Sequence, residues 1–126
     1  MKKLKVLASI SAFVMLNTFG LASYAAPVTV PTSEFGNFTY YINASGNGIG
    51  ASTTITKPSS NKLLRTYEEM RDYANGTLIA RDEDSGYGKS KAYTLLWKTS
   101  NRKVTAYATH EARGTGSIVR YTSTTL

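Results

Sequence analysis

Short runs of alternating apolar and polar residues, each ended by a polar or glycine-rich break, recur along most of this chain. The densest lie between residues 92 and 121. Tyr93-Thr94-Leu95-Leu96-Trp97-Lys98 is rich in β-branched and aromatic residues, and Val104-Thr105-Ala106-Tyr107-Ala108-Thr109 is strand-like again. The polar break Ser100-Asn101-Arg102-Lys103 between them predicts a β-hairpin, with Lys98, Arg102 and Lys103 at its tip. A third strand, over 117–121, follows the Gly114-Thr115-Gly116 bend. This stretch holds the only tryptophan, and the pattern predicts Trp97 in or beside the core.

Upstream, Phe38-Thr39-Tyr40-Tyr41-Ile42 alternates and predicts a first strand. Gly46-Asn47-Gly48 is a turn, and residues 49–56 form a second strand that Pro58 helps to end. Residues 61–74 read two ways. As a helix, Leu63, Tyr67, Met70 and Ala74 share a face, with Arg65 and Glu69 one turn apart. As a strand, Leu64, Thr66, Glu68 and Met70 share a face of poor apolar contrast. The Asn75-Gly76 turn signal and the strand-like run over 77–81 pull toward the strand. Asp82-Glu83-Asp84-Ser85-Gly86-Tyr87-Gly88 reads as a loop. The chain is therefore mainly β: a small antiparallel β-sandwich or barrel, with 61–74 a strand or one short helix.

The amino end departs from this pattern. Met1-Lys2-Lys3-Leu4-Lys5 is basic, residues 6–21 are mostly apolar, and Ser23-Tyr24-Ala25 places small residues where a signal peptidase requires them. This order predicts a secretory signal peptide over 1–25, cleaved between Ala25 and Ala26. The apolar run is short of the ~20 residues of a spanning helix. An extended linker with Pro27 and Pro31 follows over 26–36, then a single β domain over 37–126. Without Lys2, Lys3 and Lys5 the net charge falls from +7 to +4. There is no cysteine, which excludes disulfides, thiolate metal sites and a lipid-modified amino terminus.

Few residues offer chemistry. His110 is the only histidine and stands in Thr109-His110-Glu111-Ala112-Arg113. His110, Glu111 and Arg113 are the residue types that acid–base cleavage of a phosphodiester uses. Adjacent residues on a strand point to opposite faces, however, so His110 and Glu111 are not expected to converge. No Gly-x-Ser-x-Gly elbow supports a serine hydrolase. Asp82-Glu83-Asp84 lacks the spacing of a calcium loop, and Gly46-Asn47-Gly48-Ile49-Gly50 lies between strands rather than before a helix. No metal or cofactor is expected.

Charge is more informative. From residue 89 onward seven basic residues (Lys89, Lys91, Lys98, Arg102, Lys103, Arg113 and Arg120) face one acid, Glu111, whereas 61–84 carries four basic residues and six acids. A basic surface interleaved with Tyr93, Trp97, Tyr107 and Tyr121 suits a polyanion: an anionic cell-envelope polymer or a membrane surface, ahead of nucleic acid.

The signal peptide, the absence of cysteine, the mature length of about 100 residues and the Tyr/Thr/Gly-rich strands over 38–122 resemble the small exported β-sandwich proteins of Gram-positive bacteria. That set includes the lactococcin-like bacteriocins, although here Glu34-Phe35-Gly36-Asn37-Phe38-Thr39 carries no tryptophan near the mature start. The resemblance implies a secreted, non-enzymatic binding or antagonist protein acting at the bacterial envelope. The alternatives are a small secreted nuclease using His110 and a wall-associated structural protein.

Overall fold

Alternation becomes architecture in the computed structural model, which describes residues 26–126. The signal peptide expected over 1–25 lies outside the described residues. Eight strands follow in order: β1 (Val28–Thr32), β2 (Gly36–Ser45), β3 (Gly48–Ile55), β4 (Leu63–Asp72), β5 (Leu78–Tyr87), β6 (Lys91–Trp97), β7 (Val104–Arg113) and β8 (Ser117–Thr125). They form two four-stranded antiparallel sheets, β1-β2-β3-β6 and β5-β4-β7-β8. The fold is a β-sandwich rather than a closed barrel, and the described residues contain no helix.

Burial alternates along β4, and along β7 as far as His110, because successive side chains leave a strand on opposite faces. On β4 the buried residues are Leu64, Thr66, Glu68, Met70 and Asp72, and on β7 Val104, Ala106, Ala108, His110 and Ala112 face inward while Glu111 is buried on the outer face. The segment 61–74 is thus a strand. Its apolar contrast is poor because two of its inward residues, Thr66 and Glu68, belong to a polar layer inside the molecule.

That layer divides the core. One apolar cluster holds Ile42, Ile49, Ala51, Met70, Leu96, Val104, Ala106 and Ala108. The other holds Phe35, Phe38, Ile55, Leu64, Ala92 and Ala112. Between them in register stand Thr53, Thr66, Glu68, Thr94 and His110, all buried, with Thr94 on edge strand β6 and the others on the central strands β3, β4 and β7.

Several local expectations need correction. The runs 93–98 and 104–109 do not form a hairpin. β6 pairs with β3, and β7 pairs with β4 and β8, so the connection over 98–103 crosses from one sheet to the other. Both runs bury apolar residues in the same cluster, and that requires them to face each other across the core. Trp97 is not in the core. It follows the inward Leu96, so the alternation turns it outward, and it is 60% exposed. Its ring lies over Gly48 on β3, where a Cβ would come within 3.0 Å of the indole. The Tyr93 ring lies over Gly50 in the same way.

Asp82-Glu83-Asp84 is not a loop but the middle of edge strand β5. Its acids do the work of a neighbouring strand. The main-chain N–H groups of Tyr93 and Leu95, on the free edge of β6, donate to Asp84 Oδ2 (2.9 Å) and Asp82 Oδ2 (3.1 Å). Side-chain carboxylates thereby cover an edge that would otherwise present free donors. The segment expected as a linker is extended, and over Val28–Thr32 it pairs with β2 as the outer strand of its sheet. Asn75-Gly76 does turn the chain between β4 and β5, with Gly76 at φ 74°, a conformation that costs glycine little.

Candidate functional site

The polar layer is a directed chain of hydrogen bonds, and its direction follows from counting protons. A threonine hydroxyl has one proton to give. Thr66 gives its own to the Ala92 carbonyl at 3.0 Å. Thr53 must then donate to Thr66, 2.7 Å away. The proton of Thr53 is now used, so in the contact between Thr53 and His110 Nδ1 (2.8 Å) the ring donates. Nε2 is left bare and accepts from the Thr122 hydroxyl at 2.8 Å. His110 is therefore the neutral Nδ1–H tautomer, satisfied at both nitrogens. It is 0% exposed, and the Tyr40 ring packs 5.3 Å from its own. Burial pushes its pKa down to about 3.

Glu68 is the second unusual member of the layer. It is also 0% exposed. Its Oε1 accepts the Thr94 hydroxyl at 2.8 Å, while Oε2 has no hydrogen-bond partner among the described residues. Burial raises its pKa to about 7, with the Thr94 hydroxyl pulling the other way and the nearby Asp82 charge adding to the rise. A buried carboxyl short of one partner is held most easily in its neutral form.

The three residues considered for phosphodiester cleavage do not converge. His110 points between the sheets, and Glu111 and Arg113 point away from them. Glu111 accepts from Arg113 and lies 3.5 Å from Arg65, which also pairs with Glu83 at 2.6 Å. Tyr67 and Arg71 both donate to Glu69 at 2.8 Å. This outer face of the second sheet is a lattice of ion pairs in which most charges are matched. Among the described residues, no group of three or more His, Asp or Glu side chains is placed to hold a metal ion.

The seven cations expected to form a basic surface are distributed over the molecule. Lys89 pairs with Asp84, and Arg113 with Glu111. Lys91 lies over the Tyr93 ring at 5.6 Å, and Arg120 donates to the Val119 carbonyl on edge strand β8. Lys98, Arg102 and Lys103 do stand together, on the connection between the sheets. Lys98 Nζ donates to the Leu126 main-chain oxygen at 3.2 Å, Arg102 pairs with Asp72 at 2.7 Å, and Lys103 Nζ sits 4.2 Å above the Tyr73 ring.

Sequence reasoning missed one clasp between the sheets. The Glu34 carboxylate, in the turn before β2, accepts the main-chain N–H of Thr115 (2.7 Å) and Gly116 (3.0 Å) and the Thr115 hydroxyl (3.0 Å). The Gly116 and Thr115 N–H groups hold its carboxyl below the ordinary carboxylate range. The only signal was the Gly114-Thr115-Gly116 bend, because a Cβ at Gly114 would meet the Glu34 carboxylate. Comparison with protein families, curated proteins and solved structures finds no match to this chain.

Proposed function

We propose that this is an exported, non-enzymatic binding or antagonist protein that acts at the bacterial envelope by holding an anionic envelope component. The observation that carries the reading is the cation cluster at 98–103. Lys98, Arg102 and Lys103 stand on the connection between the sheets, at the end of the sandwich that also carries the turns over 45–47 and 73–77. None of these three segments contains a carboxylate side chain. An anion approaching this end meets Lys98, Arg102 and Lys103, of which Arg102 is paired with Asp72 and Lys98 is bonded to the Leu126 main-chain oxygen.

Two further features support the reading. The basic, apolar and small-residue order of the first 25 residues is that of an export signal. The single histidine is enclosed with both nitrogens occupied, so it offers no acid or base to a solute. The rival nuclease makes a separable demand. Purified chain beginning at Ala26 should leave RNA and DNA intact while sedimenting with isolated Gram-positive envelopes. Cleavage that disappears in a folded Arg113→Ala variant would replace the binding reading with the enzymatic one.

A further inference from the structure

Large apolar groups are exposed singly on most proteins, and only their clustering is informative. Here four of those exposed among the described residues stand at the end that carries the cation cluster. Trp97 is 60% exposed at the end of β6, and Tyr73 is 57% exposed at the start of the turn after β4. Leu78 (40%) and Ile79 (45%) open β5 on the far side of that turn. Strand ends and turns place all four at the end of the sandwich that carries residues 98–103. Tyr73 is tied directly to that connection, since its N–H donates to the Lys103 carbonyl at 3.0 Å.

The opposite end differs. It also carries lysines, but Lys62 donates to the Glu34 and Lys57 carbonyls, and Lys89 is paired with Asp84. Its Phe35 is buried. Tyr87 is the large exposed ring near it.

We infer that the end formed by Trp97, Tyr73, Leu78, Ile79, Lys98 and Lys103 docks on the surface of an anionic lipid bilayer. This rests on the envelope-binding reading and names the component held. A soluble polyanion satisfies the lysines but gives exposed leucine and isoleucine nothing. The bilayer interface takes both: anionic headgroups attract lysine within about a Debye length, and the boundary below them accepts apolar side chains. Tryptophan and tyrosine favour that boundary because each has an apolar body and a polar edge. Lys103, stacked on Tyr73, has its charge beside the ring that would enter first. Such docking is shallow and reversible, and it leaves the sandwich intact.

Trp97 is the chain's only tryptophan and therefore reports its own environment. The chain from Ala26 contains all eight strands and both core clusters, and it lacks the apolar leader that would bind lipid by itself. It should be titrated with phosphatidylglycerol–phosphatidylcholine vesicles, with pure phosphatidylcholine vesicles, and with purified teichoic acid. The anionic vesicles should shift the Trp97 emission to the blue, and brominated acyl chains should quench it. Lys98→Ala/Lys103→Ala should weaken binding roughly thirtyfold, at about fivefold per lysine. Leu78→Thr/Ile79→Thr, which leaves charge and strand propensity alone, should weaken it by roughly tenfold. A control that removes the same charge elsewhere, Lys57→Ala/Lys91→Ala, should bind like the parent. An unshifted Trp97, or a control variant that loses as much as Lys98→Ala/Lys103→Ala, overturns the docking surface. Binding to teichoic acid without binding to vesicles overturns the lipid assignment and leaves the envelope reading standing. Binding to neither overturns both.

Discussion

Replacing Glu68 with Gln removes a buried titration while keeping the shape of the side chain, and the consequence has a definite sign. In the fold the Glu68 carboxyl is displaced from the ordinary 4.5 up to about 7. The folded state therefore binds this proton more tightly than the unfolded chain does. Its contribution to stability is complete below about pH 4.5 and is lost as pH rises through about 7. At 1.36 kcal/mol per pH unit the loss is roughly 3 kcal/mol, a large part of a small domain's stability. His110 works in the other sense. Its folded pKa of about 3, against an ordinary 6.5, withdraws stability as pH falls through that interval. Between about pH 4.5 and 6.5 the two groups oppose each other, so the parent should show a broad, flat maximum there. In Glu68→Gln only the histidine limb remains, and stability should climb to about pH 6.5 and then level. Urea unfolding followed by circular dichroism across pH 4–8 gives both curves. Their difference cancels the titrations they share and isolates Glu68. It should move in favour of the variant by roughly 3 kcal/mol between pH 4.5 and pH 7. A difference that stays constant within ~0.5 kcal/mol would refute a neutral buried Glu68, whatever its fixed offset.

Other outcomes follow from the same geometry. Nitrogen NMR should find His110 protonated at Nδ1 and bare at Nε2, and still neutral at pH 5, whereas a proton on Nε2 would contradict the directed chain. His110→Ala should cost roughly 3–5 kcal/mol, since it removes the ring that donates to Thr53 and accepts from Thr122 and opens a cavity. Trp97→Ala should cost only about 1 kcal/mol in urea unfolding, because the ring is 60% exposed and lies over Gly48 on the outer face; a loss above ~3 kcal/mol would put it back in the core. Asp82→Ala/Asp84→Ala strips the cover from the Tyr93 and Leu95 N–H groups, and should make the protein associate with rising concentration in light scattering.

The sandwich was legible because alternation survives in β4, β6 and most of β7, and Leu64, Met70, Ala92 and Leu96 all fall on the inward face. The polar layer was not. Glu68 and Thr66 are types that ordinarily face water, so their inward phase lowered the contrast that identifies a strand. Trp97 lies outside the core because Leu95-Leu96-Trp97 offers apolar residues to both faces, and the alternation that buries Leu96 turns Trp97 outward. Gly48 and Gly50 across the strand pair were the clue, since they leave room for rings lying flat on the sheet. Strand partners could not be read from order along the chain. Six residues over 98–103 suffice to turn a hairpin or to cross between sheets, and only the shared core decides. The cation trio survived that error because the connection carries it in either arrangement. Other cations are engaged by partners within five residues along the chain, such as Lys89 with Asp84, a carboxylate whose segment reads as a loop although it lies on strand β5.

Whether the 98–103 cations hold an anionic envelope component is read from the salt dependence of envelope binding. The chain from Ala26 and a Lys98→Ala/Arg102→Ala/Lys103→Ala variant of matched circular dichroism would be sedimented with isolated Gram-positive envelopes at rising salt. The parent's affinity should fall steeply as ionic strength shortens the screening length to ~8 Å and below, and the variant should bind weakly at every salt concentration. Binding that ignores salt, or a variant that binds as the parent does, would contradict the claim.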